Sequence, residues 1–115
     1  MGDLNRLQIG NIHIPNRVLM APLSGISDKP FRRLAKLYNA GLVFSEMIAS
    51  KEMIRKTRQS ERKSKINEEI GPIAVQLAGI DAETMAEAAR ILVDRGANII
   101  DINFGCPAKK IVRKA

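Results

Sequence analysis

The stretch Asp101-Ile102-Asn103-Phe104-Gly105-Cys106-Pro107-Ala108-Lys109-Lys110 reads as a buried strand that stops in a loop. Side chains alternate faces along a strand, so Asp101 and Asn103 point one way and Ile100 and Ile102 the other. A polar face on a central strand needs partners, because an unpaired buried polar group costs about 1–3 kcal/mol. Gly105 allows close backbone approach, and Pro107 fixes the loop. Between them lies Cys106, the only cysteine of the chain. A free thiol titrates near 8.5, about a unit and a half above neutrality. Unless Lys109 and Lys110 lower that value, Cys106 suits a general acid better than a ready nucleophile. A lone cysteine also serves as a small buried hydrophobe, and on the residues alone both readings stay open.

Working outward from this strand, the chain repeats one pattern. Pro72–Leu77 is an apolar run of strand type. Asp81 can cap the helix that follows it, with Glu83 favourable in the first turn. Met85, Ala88, Ala89 and Leu92 form the apolar face of that helix, and Gly96 ends it. Leu42–Met47 is an earlier strand, and Val18–Ala21 a still earlier one, apolar enough to be buried on both faces. After Val18–Ala21 the chain breaks at Pro22 into the loop Leu23–Asp28. Ser27 or Asp28 can cap the next helix, with Pro30 in its first turn. Phe31, Leu34, Ala35 and Tyr38 fall on one face, and Gly41 suits a left-handed C-cap. Residues 7–14 alternate around Gly10-Asn11, a hairpin signal that places His13 on the surface.

The order is a hairpin followed by β-α-β-α-β-α-β, which implies a parallel sheet with right-handed crossovers. Polar features cluster at the strands' C-terminal ends, where barrels and doubly wound sheets both build their sites. The absence of a Gly-rich dinucleotide or phosphate loop after the first strand argues against the doubly wound alternative. A full barrel has eight strands and ~250 residues. Residues 1–115 are therefore expected to form one α/β domain, the N-terminal half (about four βα units) of a TIM (β/α)8 barrel preceded by a short β-hairpin. Its second half is expected to be missing, and its exposed apolar edges to favour self-association.

Composition narrows the function. The chain of 115 residues is 45% hydrophobic, enough for a core. Its net charge of +7 favours a polyanionic partner. Aromatic residues are 3% of the chain, which weakens any base-stacking platform. One cysteine and one histidine exclude a disulfide framework and leave no protein-only zinc site. No apolar run approaches the ~20 residues of a membrane span, so a cytoplasmic location with no membrane or metal partner is expected. Residues 50–69 hold a dense basic run, Lys51, Arg55, Lys56, Arg58, Arg62, Lys63 and Lys65, read as one helix and a polar loop. It is either a solvated face or a phosphate-backbone contact.

Four motifs, in order, resemble the tRNA-dihydrouridine synthase family, its bacterial B-type branch above all. They are Ala21-Pro22-Leu23-Ser24-Gly25-Ile26-Ser27-Asp28 with Pro30-Phe31-Arg32, Ser45-Glu46-Met47, Val75-Gln76-Leu77-Ala78-Gly79, and the stretch quoted at the outset. The first usually reads Ala-Pro-Met-Ala-Gly, so Leu23 and Ser24 are departures. The resemblance implies an FMN-dependent barrel followed by a helical domain, which uses NADPH to reduce uridine in tRNA to 5,6-dihydrouridine. It implies hydride transfer from reduced FMN and proton transfer from Cys106. By the same resemblance Pro22, Leu23 and Ser24 line the flavin ring, and Gln76 hydrogen-bonds it. Asn103 orients flavin or uracil, and Lys109, Lys110 and Arg113 lie near the tRNA. The family's FMN phosphate site belongs to the second half of the barrel, so the 115 residues alone are expected to be inactive. Two alternatives are a non-catalytic remnant that at most binds RNA or self-associates, and a flavin barrel acting on free pyrimidines. The loop's Gly-Cys-Pro-Ala-Lys-Lys context and the net charge argue against the latter.

Overall fold

The computed structural model describes residues 6–69 and 71–105. The chain opens with a hairpin of β1 (Leu7–Ile9) and β2 (Ile12–Ile14), paired Leu7↔Ile14, Gln8↔His13 and Ile9↔Ile12. Gly10 takes a φ of +57° in the turn, a conformation open to glycine without a Cβ penalty. Cross-strand partners share a face, so the four apolar residues of the hairpin point together. Ile14 is fully buried against Leu42 and Ala74, with Leu7, Ile12, Phe44 and Ile99 around it. His13 is exposed, as the alternation requires.

Four segments then lie side by side in a parallel sheet, each next to its predecessor in sequence. Val18–Met20 comes first, joined by a single bridge Leu19↔Leu42 and by Met20 N–H donating to the Leu42 carbonyl at 2.9 Å. Next come β3 (Val43–Phe44) and β4 (Ile48–Ala49), then β5 (Ile73–Ala78) and β6 (Ile99–Ile102). The expected strand at Val18–Ala21 is thus only a bridge, and Val18 is 61% exposed rather than buried. The cause is its place at the edge: among the described residues it has a sheet neighbour on one side only.

β3 and β4 are two halves of one strand interrupted by a bulge. Phe44 pairs with Ala74 and Ile48 with Leu77, so four steps on one strand match three on the other. The extra residue falls within Ser45-Glu46-Met47, where the sequence predicts one uninterrupted strand. At the bulge the Ser45 hydroxyl replaces a carbonyl as acceptor for the Gln76 N–H, at 3.1 Å. Bulges twist a strand and re-aim its side chains.

Helices α1 (Lys29–Leu37), α2 (Ser50–Arg55), α3 (Arg58–Lys63) and α4 (Ala82–Asp94) make the crossovers. Asp28 caps α1 by accepting from Phe31 N–H, and Asp81 caps α4 by accepting from Thr84 N–H. Ile73, Val75 and Leu77 of β5 pack outward on Met53 of α2 and on Ala88 and Leu92 of α4. The opposite face of β5 carries Ala74 and Gln76. The basic run is two helices, not one. Lys56 sits in the left-handed region at φ +54°, and Thr57 starts α3 by accepting from Ser60 N–H.

Two expectations for α1 change. Its buried face is Arg32 and Ala35, while Leu34 is 51% and Tyr38 81% exposed. Arg32 turns inward because Glu69 Oε1 accepts from its Nε at 2.9 Å and its Nη2 at 2.6 Å, and the Ser27 carbonyl accepts from its Nη1 at 2.8 Å. The left-handed residue after α1 is Asn39, at φ +72°, not Gly41. Gly41 has another duty. A Cβ there would lie 2.6 Å from Asn16 Oδ1 and 2.7 Å from the Asn16 carbonyl. Asn16 needs that proximity, since its amide donates to the Asn39 carbonyl and its Oδ1 accepts from Val18 N–H.

Candidate functional site

Parallel register sets Gln76 directly beside Asp101. Gln76 Nε2 donates to Asp101 Oδ2 at 2.6 Å, and Asn103 Nδ2 donates to Gln76 Oε1 at 3.2 Å. Asn103 Oδ1 in turn accepts from Gly105 N–H at 3.0 Å. The partners that the polar face of residues 101–103 demands are therefore supplied by Gln76 on the neighbouring strand. Gln76 is 8% exposed. An amide side chain carries two donors and two acceptor lone pairs. After serving Asp101 and Asn103, Gln76 keeps one of each.

Ser45 and Glu46, to which the sequence assigns no role, join the framework of the site. Both are buried, with Glu46 at 2% exposure. Glu46 Oε1 accepts from Gly25 N–H at 2.8 Å, and Oε2 accepts from Arg62 Nη1 at 3.2 Å. Ser45 Oγ donates to the Glu46 carbonyl at 2.8 Å while accepting from Gln76 N–H. One bulge thus ties the first loop, the third β segment and the basic helix α3 together. The available signal was a carboxylate inside an otherwise apolar strand, which only a fixed partner can justify.

Pro22, Leu23 and Ser24 lie on the loop that Glu46 anchors. Leu23 N–H donates to Ser27 Oγ at 2.9 Å, and the Leu23 carbonyl accepts from Ser27 N–H and Ile26 N–H. Its backbone is consumed inside the loop, which leaves its 40%-exposed side chain as its contact surface. Among the described residues the Pro22 carbonyl and the Ser24 N–H enter no hydrogen bond. No direct bond joins this loop to Gln76 among the described residues; Ser45 and Glu46 bridge them. Cys106, Lys109, Lys110 and Arg113 lie outside the described residues. The chain leads toward them through Phe104, which is 94% exposed.

Lys51, Arg55, Lys56, Arg58, Arg62 and Lys65 are exposed on and after α2 and α3. Glu46 pairs with Arg62 of this group, while Glu61 of α3 is turned to Arg95 at the end of α4, at 2.9 Å. Lys63 is turned inward and donates to the Met47 carbonyl. Among the described residues no three His, Cys, Asp or Glu side chains gather to hold a metal, and no helix is long and apolar enough to cross a membrane.

A family model described as dihydrouridine synthase matches residues 19–115. A probable tRNA-dihydrouridine synthase of Rickettsia bellii is 52% identical over 107 residues, covering 92% of this chain and 33% of the relative. The tRNA-dihydrouridine synthase B of Pasteurella multocida is 48% identical over 108 residues, covering 94% of this chain and 32% of the relative. A probable tRNA-dihydrouridine synthase of Rhizobium leguminosarum is 52% identical over 99 residues, with 86% and 31% coverage. The chain spans about a third of the length of the curated relatives it matches.

Proposed function

Because the chain belongs to the dihydrouridine synthase family, we propose that it forms the N-terminal part of an FMN barrel that reduces uridine in tRNA to 5,6-dihydrouridine. The observation that carries this reading is the Gln76-Asp101-Asn103 cluster at the C-terminal strand ends. There a barrel builds its site. The neighbour-by-neighbour parallel order supports the half-barrel reading, and so do the apolar side chains of Val18, Leu19, Leu34 and Tyr38 left on the outer edge. The hairpin plugs the opposite end through Ile14.

The residues present fit a flavin ring. Gln76 offers one donor and one acceptor, and the loop at Pro22–Ser24 offers a free carbonyl, a free N–H and the Leu23 side chain. FMN, recharged by NADPH, would supply the hydride to one carbon of the uracil C5–C6 double bond. Cys106 gives the proton to the other carbon, acting as general acid from a loop whose last described residue is held by Asn103. Asn103 orients the ring it faces, and Lys109, Lys110 and Arg113 neutralise tRNA phosphates. The target base must leave its stack to reach the site. The residues that grip the FMN phosphate belong to later barrel strands, so residues 1–115 alone bind no flavin and turn over no substrate.

The test is a chimera in which this chain replaces the matching third of the Pasteurella multocida relative. With NADPH and unmodified transcribed tRNA it should form dihydrouridine, read by mass spectrometry of tRNA hydrolysates. A chimera that folds and binds flavin but forms none would overturn the reading.

A further inference from the structure

Among the described residues, two ion pairs of buried carboxylates are built differently. Glu69 faces Arg32, whose side chain is 2% exposed and whose remaining donors go to the Ser27 and Lys65 carbonyls. That arginine is spent inside the fold. Glu46 faces Arg62, whose side chain is 54% exposed while that of Glu46 is 3% exposed. A guanidinium has five N–H donors in a planar fork. Glu46 takes one of them, and the Arg62 guanidinium donates no other hydrogen bond among the described residues. The fork is thus held at one corner and open toward solvent beside the strand ends. Arg58 lies one turn earlier on the same helix, also exposed.

We propose that Arg62 is a contact for an RNA phosphate at the mouth of the site, held in place by Glu46. The inference rests on the function proposed above. Planar forks suit bidentate phosphate recognition, and a fork fixed at one corner loses less freedom on binding than a free lysine. Glu46 makes the contact positional. Its other oxygen fixes Gly25 N–H, so the same carboxylate sets the first loop and the arginine relative to each other. Glu46 is a positioning residue in this scheme; Arg62 touches the RNA.

The experiment is binding of unmodified transcribed tRNA across a salt series by the chimera with the Pasteurella multocida relative, as the parent and with R62A, R62K, E46A and R90A. Each phosphate contact contributes roughly 0.9 to the slope of log affinity against log salt. R62A should make the slope shallower by about that amount, and R62K should restore most of it. R90A removes the same charge from an exposed position on α4 and should leave the slope unchanged. E46A should flatten the slope as R62A does and also speed hydrogen exchange at the Gly25 amide. R62A should leave that amide protected, and its thermal unfolding should stay near that of the parent. An R62A slope equal to the parent's, or an R90A change as large as that of R62A, overturns this inference alone. Failure of the parent to bind tRNA at all overturns it together with the function it rests on.

Discussion

Gln76 and Asp101 stand opposite each other on neighbouring parallel strands, with Gln76 Nε2 donating to Asp101 Oδ2 at 2.6 Å. The contact explains how a strand as apolar as β5 tolerates an amide in a place where all six of its residues are buried. Gln76→Leu leaves Asp101 and Asn103 short of a partner on the inner face. Both are only part-buried, so the loss expected is about 1 kcal/mol, the low end of the cost of an unsatisfied buried polar group. Urea unfolding of the variant should show a lower midpoint with an unchanged slope. An unshifted midpoint would mean that water serves the two side chains equally well.

Arg32 and Glu69 predict a larger effect. Removing one partner of a buried pair strands the other charge, at a cost of about 3–5 kcal/mol. R32M should therefore approach the whole stability of a small domain, roughly 5–15 kcal/mol. R32M/E69L should recover much of the loss, since an apolar replacement of both partners strands no charge. The half-exposed pair Arg95–Glu61 is the contrast: R95A should cost no more than about 1 kcal/mol through that ion pair. Circular dichroism melts of the three variants decide the order.

The glycines at 41 and 79 make a paired prediction. A Cβ at Gly41 would meet the backbone oxygen of Asn16, which cannot swing away. At Gly79 the close neighbours are Met85 Cγ at 2.7 Å and Ser50 Oγ at 3.0 Å, side-chain atoms that can move. G41A should cost about 1–3 kcal/mol, the usual scale of overpacking, and G79A clearly less. Equal losses would contradict the close approach at Asn16.

Lys36 gives the alkaline pH dependence a direction. Burial lowers its pKa below the ordinary lysine value of 10.5, and Glu69 only partly opposes this. A lysine with a depressed folded pKa carries a penalty while it is protonated. Between the folded and unfolded values the unfolded chain binds more protons, so stability rises with pH in that window. K36M should abolish that rise in denaturation measurements between neutral pH and 10.5. A rise of the same size in K36M would assign the effect to another group.

Much of this was legible in the sequence. Apolar period and cap residues place α4 closely: Asp81, Ala88, Leu92 and Gly96 all serve as expected. Alternation along residues 100–103 gives the correct two faces, because the pleat fixes them whatever the neighbours are. What escaped were facts that depend on pairs distant in sequence. The bulge at Ser45–Met47 follows from register with β5, which no local pattern encodes. The inward turn of Arg32 depends on Glu69, 37 residues away. Gly41 looked like a cap because glycine permits one; its true constraint is the Asn16 carbonyl packed against it. The link from Glu46 to Gly25 spans 21 residues and was invisible for the same reason.

The claim at the centre of this account is that the polar strand ends present a proton donor to a uracil ring, and that the donor is Cys106. Cys106→Ala in the chimera with the Pasteurella multocida relative tests it most directly, with bound flavin and tRNA dihydrouridine measured on the same preparation. The account predicts flavin retained and dihydrouridine lost. Dihydrouridine formed at the parent rate, with flavin bound, would contradict it.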